Sequence, residues 1–488
     1  MSFNFNIKLK NIILFFFFFS FISVIYLIIN FNSLFDYDKR QLIKKYFFPY
    51  KLISQQEQKI SILENLYSKQ MKELSFYEPY NTKLELDFIE SGSDIQITKS
   101  IFKISKSSSP FLSSQPYLNL TKNLEKYKLN SGFYYGIAKV TPGSGYIDFF
   151  ENNIFILSAR GVLVFKKNLT DVEENFKQVK HNINDFINMK QFNKYRWFSI
   201  KDMHISKNKI YISFTEEIEE NCWNTSIISG NINYKNIKFK KMFSSKPCVH
   251  SINNIDKEFT GMVSGGRIVE FDENHIFLST GAYRSRHLAQ DKKSVNGKVL
   301  KINVNSGNYE VISMGHRNPQ GLYFDEENNF ILETEHGPRG GDEINLIEVE
   351  KINKDKIQNY GWAIASAGEH YGGGKKNIKN KKKYEKYPLY KSHSEHGFVE
   401  PLISFVPSIG ISEITKIGKN KYVVSSLKDR SLYFFELNKK KKIINLEKVK
   451  VWERIRDIKY KHNKLYLFLE DTASIGLIDI NNWSTELN

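Results

Sequence analysis

The sequence predicts an all-β fold, a six-bladed β-propeller with four-stranded antiparallel blades, preceded by an N-terminal transmembrane helix. Three observations predict it. A strand–turn–strand unit recurs at residues 153–165, 197–214, 266–281, 317–337, 411–437 and 454–478, each time joining short apolar runs through an Asp/Glu-Asn or Lys-Asn turn. Phe and Tyr, at 38 and 27 residues, suit strands better than helices. The 488 residues also exceed the roughly 250–300 that one core usually supports. Radial repetition resolves this, because each blade buries its faces against its neighbours. A two-sheet sandwich would supply short strands without repeating this unit along the chain.

The elements follow in chain order. Residues 12–29, IILFFFFFSFISVIYLII, carry no charge and follow Lys8 and Lys10; a helix of that length just crosses a bilayer core of roughly 30 Å. A cleaved signal peptide would have a shorter apolar core and a small-x-small cleavage site, which the following NFNSLFDYD lacks. An uncleaved anchor is therefore expected. Lys39, Arg40, Lys44 and Lys45 beyond the run weaken a simple positive-inside count. A short cytoplasmic tail before a large exported domain is still the expected topology. It places a single-pass protein in a bacterial inner (cytoplasmic) membrane, with its main domain facing the periplasm or exterior. Residues 52–74 space Ile53, Ile60, Leu63, Leu66, Tyr67, Met71 and Leu74 at helical intervals, as a spacer or a short coiled coil. The expected division is 1–35 anchor, 36–125 juxtamembrane helix and linker, and 126–485 propeller.

Composition narrows the partners. Lys plus Arg outnumber Asp plus Glu by 71 to 53, a net charge of +18, yet the lysines are scattered and no nucleic-acid motif accompanies them, so nucleic acid is not an expected partner. The excess suits contact of the juxtamembrane segment with anionic lipid, or simple solubility. The run KKNIKNKKKYEK at 375–386 reads as a solvated loop. Cys222 and Cys248 fit no zinc spacing; an exported compartment permits a disulfide between them, and two separately buried thiols are the alternative.

Chemistry concentrates in residues 314–347, MGHRNPQGLYFDEENNFILETEHGPRGGDEINLI, where two polar Gly/Pro turns flank a strand-like run. That is how a blade presents side chains and carbonyls at its rim. Asp342 can orient a neighbouring donor or simply cap its turn. His336 is the local histidine of most interest, more as a hydrogen-bonding neighbour than as a base.

These residues resemble the soluble quinoprotein glucose dehydrogenases and the related aldose (glucose/sorbosone) sugar dehydrogenases. The matching segments are SGGRIVEF at 264–271, GHRNPQGL at 315–322, EHGPRGGDEINLI at 335–347, NYGW at 359–362, PSIGIS at 407–412, SSLKDRSLYFF at 425–435, RIRD at 454–457 and EDTA at 470–473. They keep the family's order across roughly residues 130–480, leaving the anchor and residues 50–120 outside. The resemblance implies pyrroloquinoline quinone (PQQ) and a calcium ion at the propeller's top centre. Arg317, Asn318 and Gln320 would lie along the quinone, with Lys428, Arg454 and Arg456 on its carboxylates and carbonyls. The carbonyls of Gly337 and Pro338 would ligate calcium. Three carboxylates call for Arg and Lys, and calcium for hard oxygen donors, so the chemistry is consistent. Arg317 and His336 are the implied catalytic candidates. The substrate would be a sugar or related small polyol, and electrons would pass to an acceptor that the sequence does not name.

One departure bears on turnover. The family's basic histidine lies four residues before the arginine of GGR, where this chain has Val263; the aspartate that orients it corresponds to Ala282. Neither side chain accepts a proton. His250, His287 and His336 are the candidate replacements. Two readings follow: a membrane-anchored PQQ- and calcium-dependent sugar oxidoreductase with a displaced base, or a propeller that binds a quinone, sugar or other anionic ligand without turnover.

Overall fold

A computed structural model describes residues 78–106, 121–134, 143–187, 199–352, 357–372 and 380–480, all within the compact unit Tyr77–Asn488. The expected helices at 12–29 and 52–74 lie outside the described residues. Among those described, no helix is long and apolar enough to cross a membrane.

The fold is all-β and propeller-like, built from four-stranded antiparallel blades. Strands β1 (Ile97–Lys106) and β2 (Thr121–Leu129) are followed by the strands that line the centre: β3 (Gly145–Phe150), β4 (Ile200–Ser206), β5 (Gly265–Asp272) and β6 (Pro319–Asp325), each at the edge of its own sheet, and β7 (Ile411–Gly418) and β8 (Ile455–Lys461), the two edges of one nine-stranded sheet. Each packs beside the next, and β8 returns to β3, closing a circuit. Tight hairpins set the register. Lys461 pairs with Lys464 across His462 (φ 49°) and Asn463 (φ 58°), both left-handed as a type I′ turn requires. Buried Ile, Val, Leu, Phe and Tyr from adjoining sheets form the cores between blades.

The expected boundary at residue 126 needs correction. Residues 97–106 and 121–125, expected as linker, belong to β1 and β2, and Glu78–Ser91 is helical. Strand β2 pairs with β9 (Ser474–Asp479), Lys126 opposite Gly476, so an N-terminal segment completes the sheet of the C-terminal strands. Strand β1 joins that sheet to its neighbour through Ser105 opposite Lys450. The sequence ITKSIFKISK looks like a polar linker because Ile101 and Phe102 stay exposed while Ile97 and Ile104 go inside. It pairs along its length with β2, and the two strands are held in the sheet by partners more than 300 residues away. The lysine-rich loop also differs from expectation: Lys381–Lys386 is a short helix. Burial of Tyr384 and Tyr387 orders it, as do the contacts of Lys383 with Glu258 and of Lys386 with Asp256.

Cys222 and Cys248 form a disulfide. The pairing of Cys222 with His250, next to Trp223 opposite Val249, brings the two cysteines together. Closing a loop of sequence separation 26 restricts the unfolded chain, so replacing both cysteines by Ser is expected to cost about 3 kcal/mol. Unfolding curves of the variant and of the reduced wild type should shift together, and unchanged curves would remove the disulfide from the stability account.

At the centre, Arg267 on β5 ties the inner strands together. Its NH1 lies 2.9 Å from Asp202 of β4, 3.0 Å from Glu413 of β7 and 2.9 Å from Asp457 of β8. Its Nε donates to the Gln320 carbonyl of β6 at 2.6 Å, and its NH2 to the Arg456 carbonyl at 2.9 Å. Burial, then the charges of Glu413, Asp202 and Asp457, dominate its surroundings, and the net effect raises its pKa.

Candidate functional site

The site is built where five loops meet above this hub. Residues 262–267 form its floor. Gly265 and Gly266 have positive φ, and a Cβ on Gly266 would stand 2.4 Å from the Cβ of Lys201; only glycine lets the two strands approach this closely. The Val263 carbonyl accepts from the amide of Tyr283 at 2.7 Å, and the Ser264 carbonyl from that of Gly281 at 2.7 Å. Val263 and Ala282 are therefore on adjoining loops.

The next turn, 316–320, hangs on Glu335, which accepts from the amides of Arg317 at 2.5 Å and Asn318 at 3.3 Å. Burial lifts the Glu335 pKa to about 7. Arg317 crosses to the following loop: its NH1 donates to the His336 carbonyl at 2.6 Å, and its guanidinium lies 5.4 Å from the Trp362 ring centre. The HGPRGGD loop is folded so tightly that a Cβ on Gly337 would fall 1.9 Å from the Gly341 carbonyl oxygen. Asp342 ties it down, accepting from Gly337 N at 3.2 Å, Ser408 Oγ at 2.6 Å, Gly410 N at 2.7 Å and Ile411 N at 3.0 Å. Of the two expected roles for Asp342, orienting neighbouring donors is the one seen.

The last loop presents the arginines of RIRD. Arg454 Nε meets Glu470 at 3.0 Å, and Arg456 Nε meets the other oxygen at 2.6 Å. Burial works against the charge on Glu470, yet Arg456 and Arg454 hold its pKa down to about 2. Arg456 NH1 reaches Gln320 Oε1 at 3.4 Å.

Two small voids flank the floor. The first, about 30 Å³, is lined by Gln320, Arg456, Arg267, Tyr146, Lys201 and Ser264, among others. The second, about 10 Å³, is lined by Val263, Arg284, Arg286, Arg317, His370 and Tyr371, with Pro338 and Trp362. Each is water-sized, so a larger ligand must move these side chains.

The sequence-predicted residues divide accordingly. Gln320 and Arg456 line the first void, and Arg317 and Pro338 the second. Asn318 lines neither; its Oδ1 accepts from Gly265 N and Gln320 Nε2. Arg454 stands behind Arg456 on the same carboxylate, and Lys428 is exposed on the loop packed against Gly410. Gly337 and His336 line neither void, although the His336 carbonyl is held by Arg317. Burial lowers the His336 pKa, and its buried Nε2 has no partner among the described residues. Of the other candidate bases, His250 is exposed, and His287 pairs with Asp256 at 3.0 Å.

Sequence reasoning missed four residues. Lys201 is only 9 % exposed and lines the first void, and among the described residues no hydrogen bond or ion pair holds its amine. Burial, then Arg456 and Arg160, bring its pKa down to about 7. A lysine between Ile200 and Asp202 in the mixed sequence of β4 gave no clear signal. Arg284 and Arg286 flank Ser285 just after Ala282 and were readable as a basic pair. His370 offered no local signal. Its Nε2 lies 2.8 Å from the Tyr387 carbonyl; a carbonyl only accepts, so Nε2 carries the proton and Nδ1 the lone pair. That Nδ1 is buried without a partner among the described residues, and burial lowers the histidine's pKa to about 4.

A family model, Glucose / Sorbosone dehydrogenase, matches residues 199–478. The aldose sugar dehydrogenase YliI of Escherichia coli (strain K12) is 25 % identical over 301 residues, covering 56 % of this chain and 73 % of that protein. Quinoprotein glucose dehydrogenase B of Acinetobacter calcoaceticus is 38 % identical over 84 residues, 15 % of this chain and 16 % of its own. Among solved structures, a glucose dehydrogenase superposes with a TM-score of 0.53 at 22 % identity, covering 68 % of this chain and 95 % of the other. The soluble aldose sugar dehydrogenase of E. coli in its apo-form gives 0.51 at 21 %, covering 69 % and 95 %. At these identities the superpositions establish the fold.

Proposed function

This chain belongs to the Glucose / Sorbosone dehydrogenase family, and from that membership we propose that it is a PQQ- and calcium-dependent oxidoreductase acting on the CH–OH group of a sugar or related polyol. One observation carries the reading: Gln320 and Arg456 on one side of residues 262–267, and Arg317 and Pro338 on the other, converge from separate loops above one hub.

The donor set fits both groups. Arg317, Arg454, Arg456 and Lys428 match the three carboxylates of the quinone, with Gln320 hydrogen-bonding beside them. The carbonyls of Gly337 and Pro338 belong to a loop that only glycine permits, and carbonyl oxygens suit calcium. When bound, the quinone supplies a two-electron acceptor whose carbonyl calcium polarises. The protein's tasks are then to orient the sugar and take its hydroxyl proton. Val263 and Ala282 cannot do so. His370 lines the same void as Val263, and its Nδ1 has the free lone pair, so we place the proton acceptor there. With its pKa near 4, His370 stays unprotonated across the neutral range and sets no acid limb between pH 5 and 8.

The closed circuit of innermost strands β3 to β8 supports six blades. The run at 12–29 supports a membrane anchor, an inner-membrane location with the propeller outside the cytoplasm, and the division into anchor, juxtamembrane segment and propeller, with the last beginning at β1. A second reading, ligand binding without turnover, is favoured by Val263 and Ala282. Titrating the detergent-solubilised full chain with PQQ, with and without calcium, and then adding an aldose panel and an artificial electron acceptor separates the two. Calcium-dependent binding with dye reduction supports the oxidoreductase. Binding without reduction supports the second reading, and no binding overturns both cofactor assignments.

A further inference from the structure

The void beside Val263 carries more positive charge than the oxidoreductase reading uses, since that reading draws on Arg317 but on neither Arg284 nor Arg286. Arg284, Arg286 and Arg317 all line it. Among the described residues their one ion-pair partner is Glu258, 2.7 Å from Arg286 NH2 and shared with Lys383. The Nε of Arg286 is buried with no partner among the described residues, in a side chain that is itself 7 % exposed. Arg284 lies 5.5 Å from the Tyr371 ring centre and has no other partner among the described residues. Arg317 spends one NH on a carbonyl. Burial, with Arg284 and Arg286 adding to it, lowers the pKa of Arg317. Buried guanidiniums crowded together in this way are costly unless an anion joins them, and their forked geometry matches a planar carboxylate or a phosphate. Tyr371 and Trp362 offer ring faces of the kind on which a sugar packs, and His370 Nδ1 offers an acceptor for a hydroxyl.

We propose that this void is the recognition subsite for a sugar bearing an anionic substituent, a carboxylate or a phosphate ester, gripped by Arg284, Arg286 and Arg317. The sugar rests on the oxidoreductase reading; the anion rests on the arginines alone.

Calorimetric titration of the detergent-solubilised full chain tests it, once free of cofactor and once with PQQ and calcium, using glucuronate, glucose 6-phosphate, glucose and inorganic phosphate. Charge-assisted hydrogen bonds predict that an anionic sugar binds at least about tenfold more tightly than glucose. The Arg284→Gln/Arg286→Gln variant should lose that margin while keeping its affinity for glucose and PQQ. Tighter glucuronate assigns a carboxylate, tighter glucose 6-phosphate a phosphate ester, and either supports the subsite. Equal affinities overturn it. So does inorganic phosphate binding as tightly as the sugars, which is an adventitious anion site. Weakened PQQ binding in the double variant also overturns it, by giving these arginines to the cofactor. Should the double variant fail to fold, the partly exposed Arg284 decides the matter: Arg284→Gln should lose the margin and Arg284→Lys retain part of it. A chain that prefers anionic sugars yet binds no PQQ keeps the subsite and loses the quinone.

Discussion

Replacing Arg267 by Met is expected to destabilise the protein by about 3–5 kcal/mol, the usual cost of stranding buried charge. Three carboxylates, Asp202, Glu413 and Asp457, face this one guanidinium, and all are buried. Methionine fills much of the volume but leaves the acids with Lys459, whose pKa their charges raise against the effect of burial. The Gln320 carbonyl loses its donor as well, and the Arg456 carbonyl keeps only that of Ser412 Oγ at 2.7 Å. Arg267→Lys keeps the charge but not the fork and should fall between Met and wild type. Adding Glu413→Gln to Arg267→Met should recover part of the loss, because it removes one of the stranded acids. Urea unfolding of the single and double variants measures this, and an Arg267→Met variant within 1 kcal/mol of wild type would sink the hub as a stabilising element. The effect also reaches the site, since both carbonyls belong to residues that line the first void.

The hub explains why much of the fold was legible and part was not. Residues 266–281 and 454–478 carry their strand pattern locally, in apolar runs joined by short Asn-containing turns, the second of them left-handed at His462 and Asn463, so their register follows from near neighbours. Strands β1 and β2 have no such independence. They pair with each other, but their outer partners lie at the other end of the chain, and Ile101 and Phe102 face outward, so the local pattern does not mark a strand. The site divides in the same way. Arg317, Gln320 and Arg456 stand in dense motifs whose turns betray them. Lys201, Arg284, Arg286 and His370 matter only because separate loops bring them to one place, and no window of sequence contains that convergence. The cysteine pair is a middle case. Spacing permitted a bond, and the register of Trp223 opposite Val249 was needed to make it.

Arg317→Gln is expected to raise the dissociation constant for PQQ by about tenfold to a hundredfold, the scale of a lost charge-assisted pair, and to raise the calcium concentration needed for binding. The second effect identifies the mechanism. Arg317 NH1 holds the His336 carbonyl at 2.6 Å, one residue before the two carbonyls assigned to calcium, while its own carbonyl accepts from Ala282 N at 2.9 Å. The residue thus couples the proposed quinone side, the loop proposed to hold calcium and the loop that carries Ala282. A residue that only contributed charge would alter cofactor affinity and leave the calcium requirement alone. Arg317→Lys separates these roles. Its ammonium restores the positive charge, so PQQ affinity should recover in part. It lacks the planar fork that serves the carbonyl and the Trp362 face together, so the calcium requirement should stay high. Titrations of PQQ at several calcium concentrations give both quantities from one series. A Gln variant with wild-type affinity would remove Arg317 from the cofactor site. A Lys variant with a wild-type calcium requirement would reduce Arg317 to a point charge, leaving Asp342, with its four donors, as the residue that shapes the calcium loop.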